Sequence, residues 1–115
     1  MRFILFKSLN GVQYYGRIPE CPVPADDTVD VFYLEESDLT FLMGELEEPV
    51  NKLCGTLLGI GDVDFFDASQ SKLLAGWLEE REKEHLSGRQ RLVYGTLLKY
   101  SREAERLGTG VVVEL

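Results

Sequence analysis

The chain has 115 residues, 44 % of them hydrophobic and 28 % charged, with a formal net charge of −8. That length fits one domain over residues 1–115, and the balance is too apolar for a disordered chain. No apolar run approaches the ~18 residues of a membrane-spanning helix, and an acidic field repels nucleic-acid phosphates and anionic lipid, so neither is expected as a partner.

In chain order, Phe3 to Leu9 is apolar and aromatic and leads into Asn10-Gly11. That pair supplies both positive-φ positions of a type I′ turn, so a hairpin is predicted with Val12 to Ile18 as its second strand. Pro19 to Pro24 cannot be helical, because proline removes backbone donors and restrains the residue before it. Val29 to Leu34 is β-branched and aromatic, hence a strand. Leu39, Leu42, Met43 and Leu46 have the spacing of one helical face. A helix over residues 39–48 is expected, capped by Ser37 or Asp38 and stopped by Pro49; a strand over 39–43 is the alternative.

Leu53 to Ile60, with Gly55 and Gly59, reads as a buried strand. Gly61-Asp62 turns into a short returning strand, Val63 to Phe66. Its pleat puts Val63 and Phe65 on one face, and Asp62, Asp64 and Phe66 on the other. Asp67 followed by Gln70 is a capping-box start. The helix after it buries Leu73, Leu74, Trp77 and Leu78, carries His85 in its last turn, and ends at Ser87-Gly88. A second helix, Arg89 to Leu107, has an apolar seam of Val93, Leu97, Tyr100, Ala104 and Leu107, widened by Leu92 and Leu98. Gly108 is its C′ residue. Val111 to Leu115 is continuously apolar but for Glu114, as expected of a strand inside a sheet. The expected fold is therefore α+β: a mostly antiparallel sheet packed against two C-terminal helices in a single domain.

Catalytic chemistry has few candidates. His85 is the only histidine, and no Ser or Cys nucleophile is placed with it. There is no GxSxG elbow and no HExxH pair, so no catalytic residue is assigned and no enzyme is expected. Asp62, Asp64 and Asp67 stand where a strand meets a helix, and three carboxylates there could hold Mg²⁺ or Ca²⁺. The spacing is not that of an EF-hand, and Asp67 already caps a helix. No metal ligand and no cofactor is assigned, and a metal-dependent enzyme built on these three is kept as a rival reading. The Gly55–Gly61 stretch lacks the Lys of a P-loop. Cys21 and Cys54 read as free thiols, Cys54 in the core and Cys21 in a loop; with no apolar signal core at the N-terminus, a cytoplasmic protein is expected.

Charge is the more informative signal. Residues 1–17 carry +3, residues 18–71 carry −12 and residues 72–115 carry +1, with no Lys or Arg from Ile18 to Asn51. Asp26, Asp27, Asp30, Glu35, Glu36, Asp38, Glu45, Glu47 and Glu48 form a tract suited to a basic protein partner, since clustered charge of one sign speeds encounter and sets specificity.

In GDVDFFDASQSKLLAGWLEERE and the closing GTGVVVEL the chain resembles a group of small uncharacterised bacterial proteins with a D-V-D-F-F-D start, a Trp-Leu pair and a terminal G-V-V-V-E-L strand. By size, acidity and single-domain make-up it also resembles, as a class, the immunity proteins of bacterial toxin systems. The second resemblance implies an inhibitor that neutralises a basic toxin by direct binding. A regulatory or scaffold domain acting through homo-oligomerisation is the alternative from a different class.

Overall fold

Val111, Val112 and Val113 lie at the centre of a four-stranded antiparallel sheet in the computed structural model, which describes residues 1–115. The strands are β1 (Arg2–Phe6), β4 (Val29–Tyr33), β5 (Val63–Asp67) and β6 (Gly110–Glu114), in the order β4-β1-β6-β5. A separate two-stranded ribbon pairs β2 (Tyr14–Tyr15) with β3 (Ile18–Pro19). The helices are α1 (Asp38–Phe41), α2 (Glu47–Cys54), α3 (Ala68–Glu82) and α4 (Gly88–Leu107). The α+β class and the antiparallel sheet against the two C-terminal helices are as expected.

Register explains why β1 and β6 are apolar on both faces. Toward the helices, Phe3, Leu5, Phe66, Val111 and Val113 join Leu74, Leu78, Val93, Leu97 and Ala104 in the main core. The other face is built of cross-strand rows. One row is Val31–Ile4–Val112–Phe65 and the next is Val29–Phe6–Gly110–Asp67. Leu9, Val12, Ile18 and Cys21, from the ribbon and its flanks, cover these rows. A third row, Tyr33–Arg2–Glu114–Val63, lies toward the open end of this face. Fully burying a side chain such as Phe3 or Phe66 stabilises the fold by about 1.5–3 kcal/mol.

Several expectations are corrected. The hairpin does not form: β1 pairs with β4 and β6, while Tyr14–Tyr15 pairs with Ile18–Pro19. Of Asn10-Gly11 only Gly11 has positive φ, so the turn is not type I′. Two long apolar strands offer β1 more burial than its sequence neighbour does. Leu53 to Ile60 is not a strand either. Leu53 and Cys54 finish α2, Gly55 caps it in the left-handed region, and Leu57 is 83 % exposed. Asn51 holds the extended residues in place of a partner strand: its amide donates to Leu58 O, and its oxygen accepts from Leu58 N and the Thr56 hydroxyl.

Residues 39–48 are helical, and Pro49 does not stop them. A π segment, Leu42–Leu46, joins α1 to α2, with Glu47 N–H donating to Leu42 O five residues back. Pro49 then falls in the first turn of α2, where a missing N–H is tolerated. Ser37 occupies the N-cap of α1 without a side-chain hydrogen bond.

Asp67 caps α3 in a full capping box with Gln70, as expected. Ser87 does not end that helix; it caps α4 in a second box with Gln90. Helix α3 ends at Glu82, leaving His85 in the connection rather than in a last turn. Leu73, Leu92 and Leu107 face solvent, whereas Tyr94 and Ser101 are buried on α4. Gly108 is the left-handed cap of α4. Both cysteines are free, and burial pushes the Cys54 thiol up to about 11.

Gly110 lets the Phe65 ring lie against β6. A β-carbon there would come within 2.3 Å of Phe65 Cε1 and 2.5 Å of Phe66 O. Gly110→Ala is expected to destabilise the protein by about 1–3 kcal/mol, the usual cost of overpacking. Urea unfolding should show a lower midpoint at unchanged slope; an unchanged midpoint would mean that the ring does not need this space.

Candidate functional site

The acidic tract begins in the loop before β4, follows β4, and continues through the helical run after it. Asp26 and Asp27 are exposed in the loop. Asp26 accepts the N–H and hydroxyl of Thr28, and these bonds hold its carboxyl below the usual range. Asp30, in β4, pairs with Lys7 at 3.0 Å. Glu35 and Glu36 are exposed in the turn between β4 and α1. Glu35 lies 4.0 Å from Arg89. Glu48 is exposed on α2, and Glu47 is half-buried near Asp62 at Gly59.

Asp38 departs from the expected set. It is 0 % exposed and held in a fork by Arg89, with Nε–Oδ1 at 2.9 Å and Nη2–Oδ2 at 2.6 Å. Glu35 N–H donates to the same carboxylate at 2.7 Å. The Arg89 guanidinium also lies over the Phe32 ring, 5.6 Å from its centre. Asp38 is thus an internal ion-pair partner with no free surface for another protein.

Glu45 is partly withdrawn in a similar way. From the π segment it pairs with Arg81 of α3 and accepts from Tyr94 Oη of α4 at 2.9 Å. Tyr94 is fully buried, meets Phe41 and Trp77 edge-on, and has Arg81 over its ring at 5.8 Å. Burial opposes ionisation of Glu45, but the bonds from Arg81 and Tyr94 win and hold its carboxyl below the usual value. Burial, reinforced by Glu45, drives the Tyr94 hydroxyl upward, so it remains a proton donor. Sequence reasoning missed Arg81, Arg89 and Tyr94; the available signal was that the basic residues are concentrated on α3 and α4, opposite an acidic tract that must be answered somewhere.

Asp62, Asp64 and Asp67 do not converge. Asp64 is buried and accepts Leu57 N–H at 2.9 Å and Phe65 N–H at 2.8 Å, with Arg17 at 3.8 Å. Asp67 is occupied as a cap, and Asp62 lies against Gly59. No group of three or more His, Cys, Asp or Glu side chains in the chain has the arrangement to hold a metal ion. His85 is exposed in its connection.

A second surface was not anticipated. At the open end of the outer sheet face, a groove of about 550 Å³ runs between the sheet and the ribbon. The Arg2–Glu114 pair, 3.0 Å apart, lies on its sheet side, with Tyr15, Cys21, Val23 and Val63 along its walls. Comparison of the chain with protein-family models, curated proteins and solved structures finds no match.

Arg89→Leu strands the Asp38 carboxylate and is expected to cost about 3 kcal/mol, near the low end for breaking a buried pair because the arginine is partly exposed. Asp38→Asn should cost less, and the double variant should recover part of the Arg89→Leu loss in a urea double-mutant cycle. Arg89 holds the Asp38 carboxyl below its ordinary value. Its contribution is therefore complete above about pH 4 and fades as pH falls toward the lower folded value. Stability measured from pH 5 downward should drop more steeply in the wild type than in Asp38→Asn; equal slopes would remove Asp38 from the acid response.

Proposed function

We propose that this chain is a binding protein that neutralises a basic protein partner, in the manner of an immunity protein blocking a toxin, through the acids that flank β4. The carrying observation is how the charges are partitioned. Lys7, Arg81 and Arg89 answer Asp30, Glu45 and Asp38 from within the fold. Asp26, Asp27, Glu36, Glu47 and Glu48 have no cationic partner within 4.0 Å, and Glu35 has only the distant Arg89. The Arg89–Asp38 and Arg81–Glu45 pairs fix the helical run that carries part of these free carboxylates, while Lys7–Asp30 is a half-exposed surface pair. A preorganised field of one sign raises association rates and rejects acidic competitors. Asp38 supports the site from below and is not a contact residue.

A second reading, a scaffold domain that pairs with itself, draws on the exposed Tyr15, Val23 and Val63 around the outer groove. Sedimentation giving a monomer at all concentrations would dispose of it.

The first reading is tested with the product of the reading frame beside this protein's own gene, the two purified separately and mixed in stopped flow. Association should slow by about tenfold or more as salt rises from low to physiological strength. The Glu35→Lys/Glu36→Lys variant should associate more slowly and with a flatter salt dependence, while its thermal unfolding stays within a few degrees of wild type. No association, or association indifferent to both salt and charge reversal, would refute the electrostatic model.

A further inference from the structure

The two outer strands of the sheet treat their free backbone edges in opposite ways. Asp62 O accepts from Leu115 N, so the ladder to β6 uses Asp62, Asp64 and Phe66, leaving Val63, Phe65 and Asp67 to point outward. Side chains take three of those six backbone groups, and the two of Val63 are left without a partner. Phe65 N–H is taken by Asp64 at 2.8 Å, Phe65 O by Arg17 at 3.1 Å, and Asp67 N–H by Gln70 at 3.0 Å.

On β4 nothing comparable happens. Leu34 N donates to Met1 O and Thr28 O accepts from Lys7 N, so Phe32 and Asp30 use their backbone toward β1. Val29, Val31 and Tyr33 therefore point their N–H and C=O away from the sheet. Val29 N–H is closed by the turn to Asp26 O. The N–H and C=O of Val31 and Tyr33 find no partner in the fold, and the Tyr33 side chain is 65 % exposed. Such an edge is a template for another strand. Its ends are marked by Asp26 and Asp27 on one side and Glu35 and Glu36 on the other.

We infer that β4 is a docking edge for an extended segment of a basic protein, which joins the sheet through main-chain hydrogen bonds to Val31 and Tyr33 and is held at both ends by Asp26, Asp27, Glu35 and Glu36. This rests on the proposed function and states how the partner is gripped. Charge selects the occupant. A second copy, antiparallel about Val31, would set Asp26 and Asp27 against Glu36 and Glu35 of its mate, acid facing acid at both ends. A segment with Lys or Arg flanking a short β-prone core meets carboxylates there instead, in either strand direction. Main-chain bonds supply grip and the flanking cations supply selection.

The probe is the capped peptide Lys-Lys-Val-Thr-Val-Thr-Val-Lys-Lys, with two relatives N-methylated either at every valine or at every threonine. The edge model expects the parent to bind at low salt and to slow amide exchange at Val31 and Tyr33. One methylated peptide should lose at least about tenfold in affinity, because its blocked amides face β4, and the other should keep binding. Val31→Pro, which removes an outward N–H and no bond to β1, should weaken the parent similarly; if that variant does not fold, the methylated pair still decides. Equal binding by all three peptides, or protection elsewhere in the chain, overturns the edge and leaves the basic-partner reading standing. No binding by the parent overturns the edge as well, whereas the basic-partner reading falls only with the association measurement above.

Discussion

A carboxylate with no solvent exposure must be answered where it stands, and Asp38 is answered by Arg89 from 51 residues further along the chain. An unpaired charge in that position would cost several kcal/mol, so the pair constrains every element it touches. It ties the end of β4 to the start of α1 and the start of α4. The Glu45–Arg81 pair, with Tyr94 beneath it, does the same one helical segment later for α3 and the middle of α4. The π segment carries Glu45 and changes the hydrogen-bond register ahead of Pro49. The acidic run is therefore fastened at two points, and its unpaired carboxylates stand on an ordered backbone.

The sheet shows a related division of labour. Its inner face is fully used by the helices, while the small ribbon covers only part of the outer one. What is left over is a groove at the end of the outer face and the free edge of β4, both outside the main core.

Local signals were legible and long-range ones were not. Asp67 with Gln70, Gly108 at a helix end and the valine run of β6 each depend on a few neighbouring residues, and each occurs as read. Asn10-Gly11 was misleading because a turn signal says nothing about competition from distant strands. The better clue was that both Phe3/Leu5 and Ile4/Phe6 are apolar, which suits a strand covered on both faces rather than a hairpin arm. Leu53 to Ile60 failed because a helix end plus an amide-braced extended loop has the composition of a buried strand. Within the acidic tract, Asp38 cannot be told from Glu36 by sequence, since the difference lies in an arginine on another helix. The free edge of β4 was hidden for the same reason: which backbone groups go unused depends on the register with β1.

The asymmetry of the two sheet edges also bears on assembly. Open-ended β-polymerisation requires each added molecule to present a fresh edge to the next. In this fold Asp64, Arg17 and Gln70 occupy outward backbone groups of Phe65 and Asp67 and leave those of Val63, so a molecule that accepts a strand on β4 offers a shorter acceptor on its far side. Unequal edges of this kind work against growth by repeated strand addition, since a short acceptor holds the next strand less well than the edge of β4.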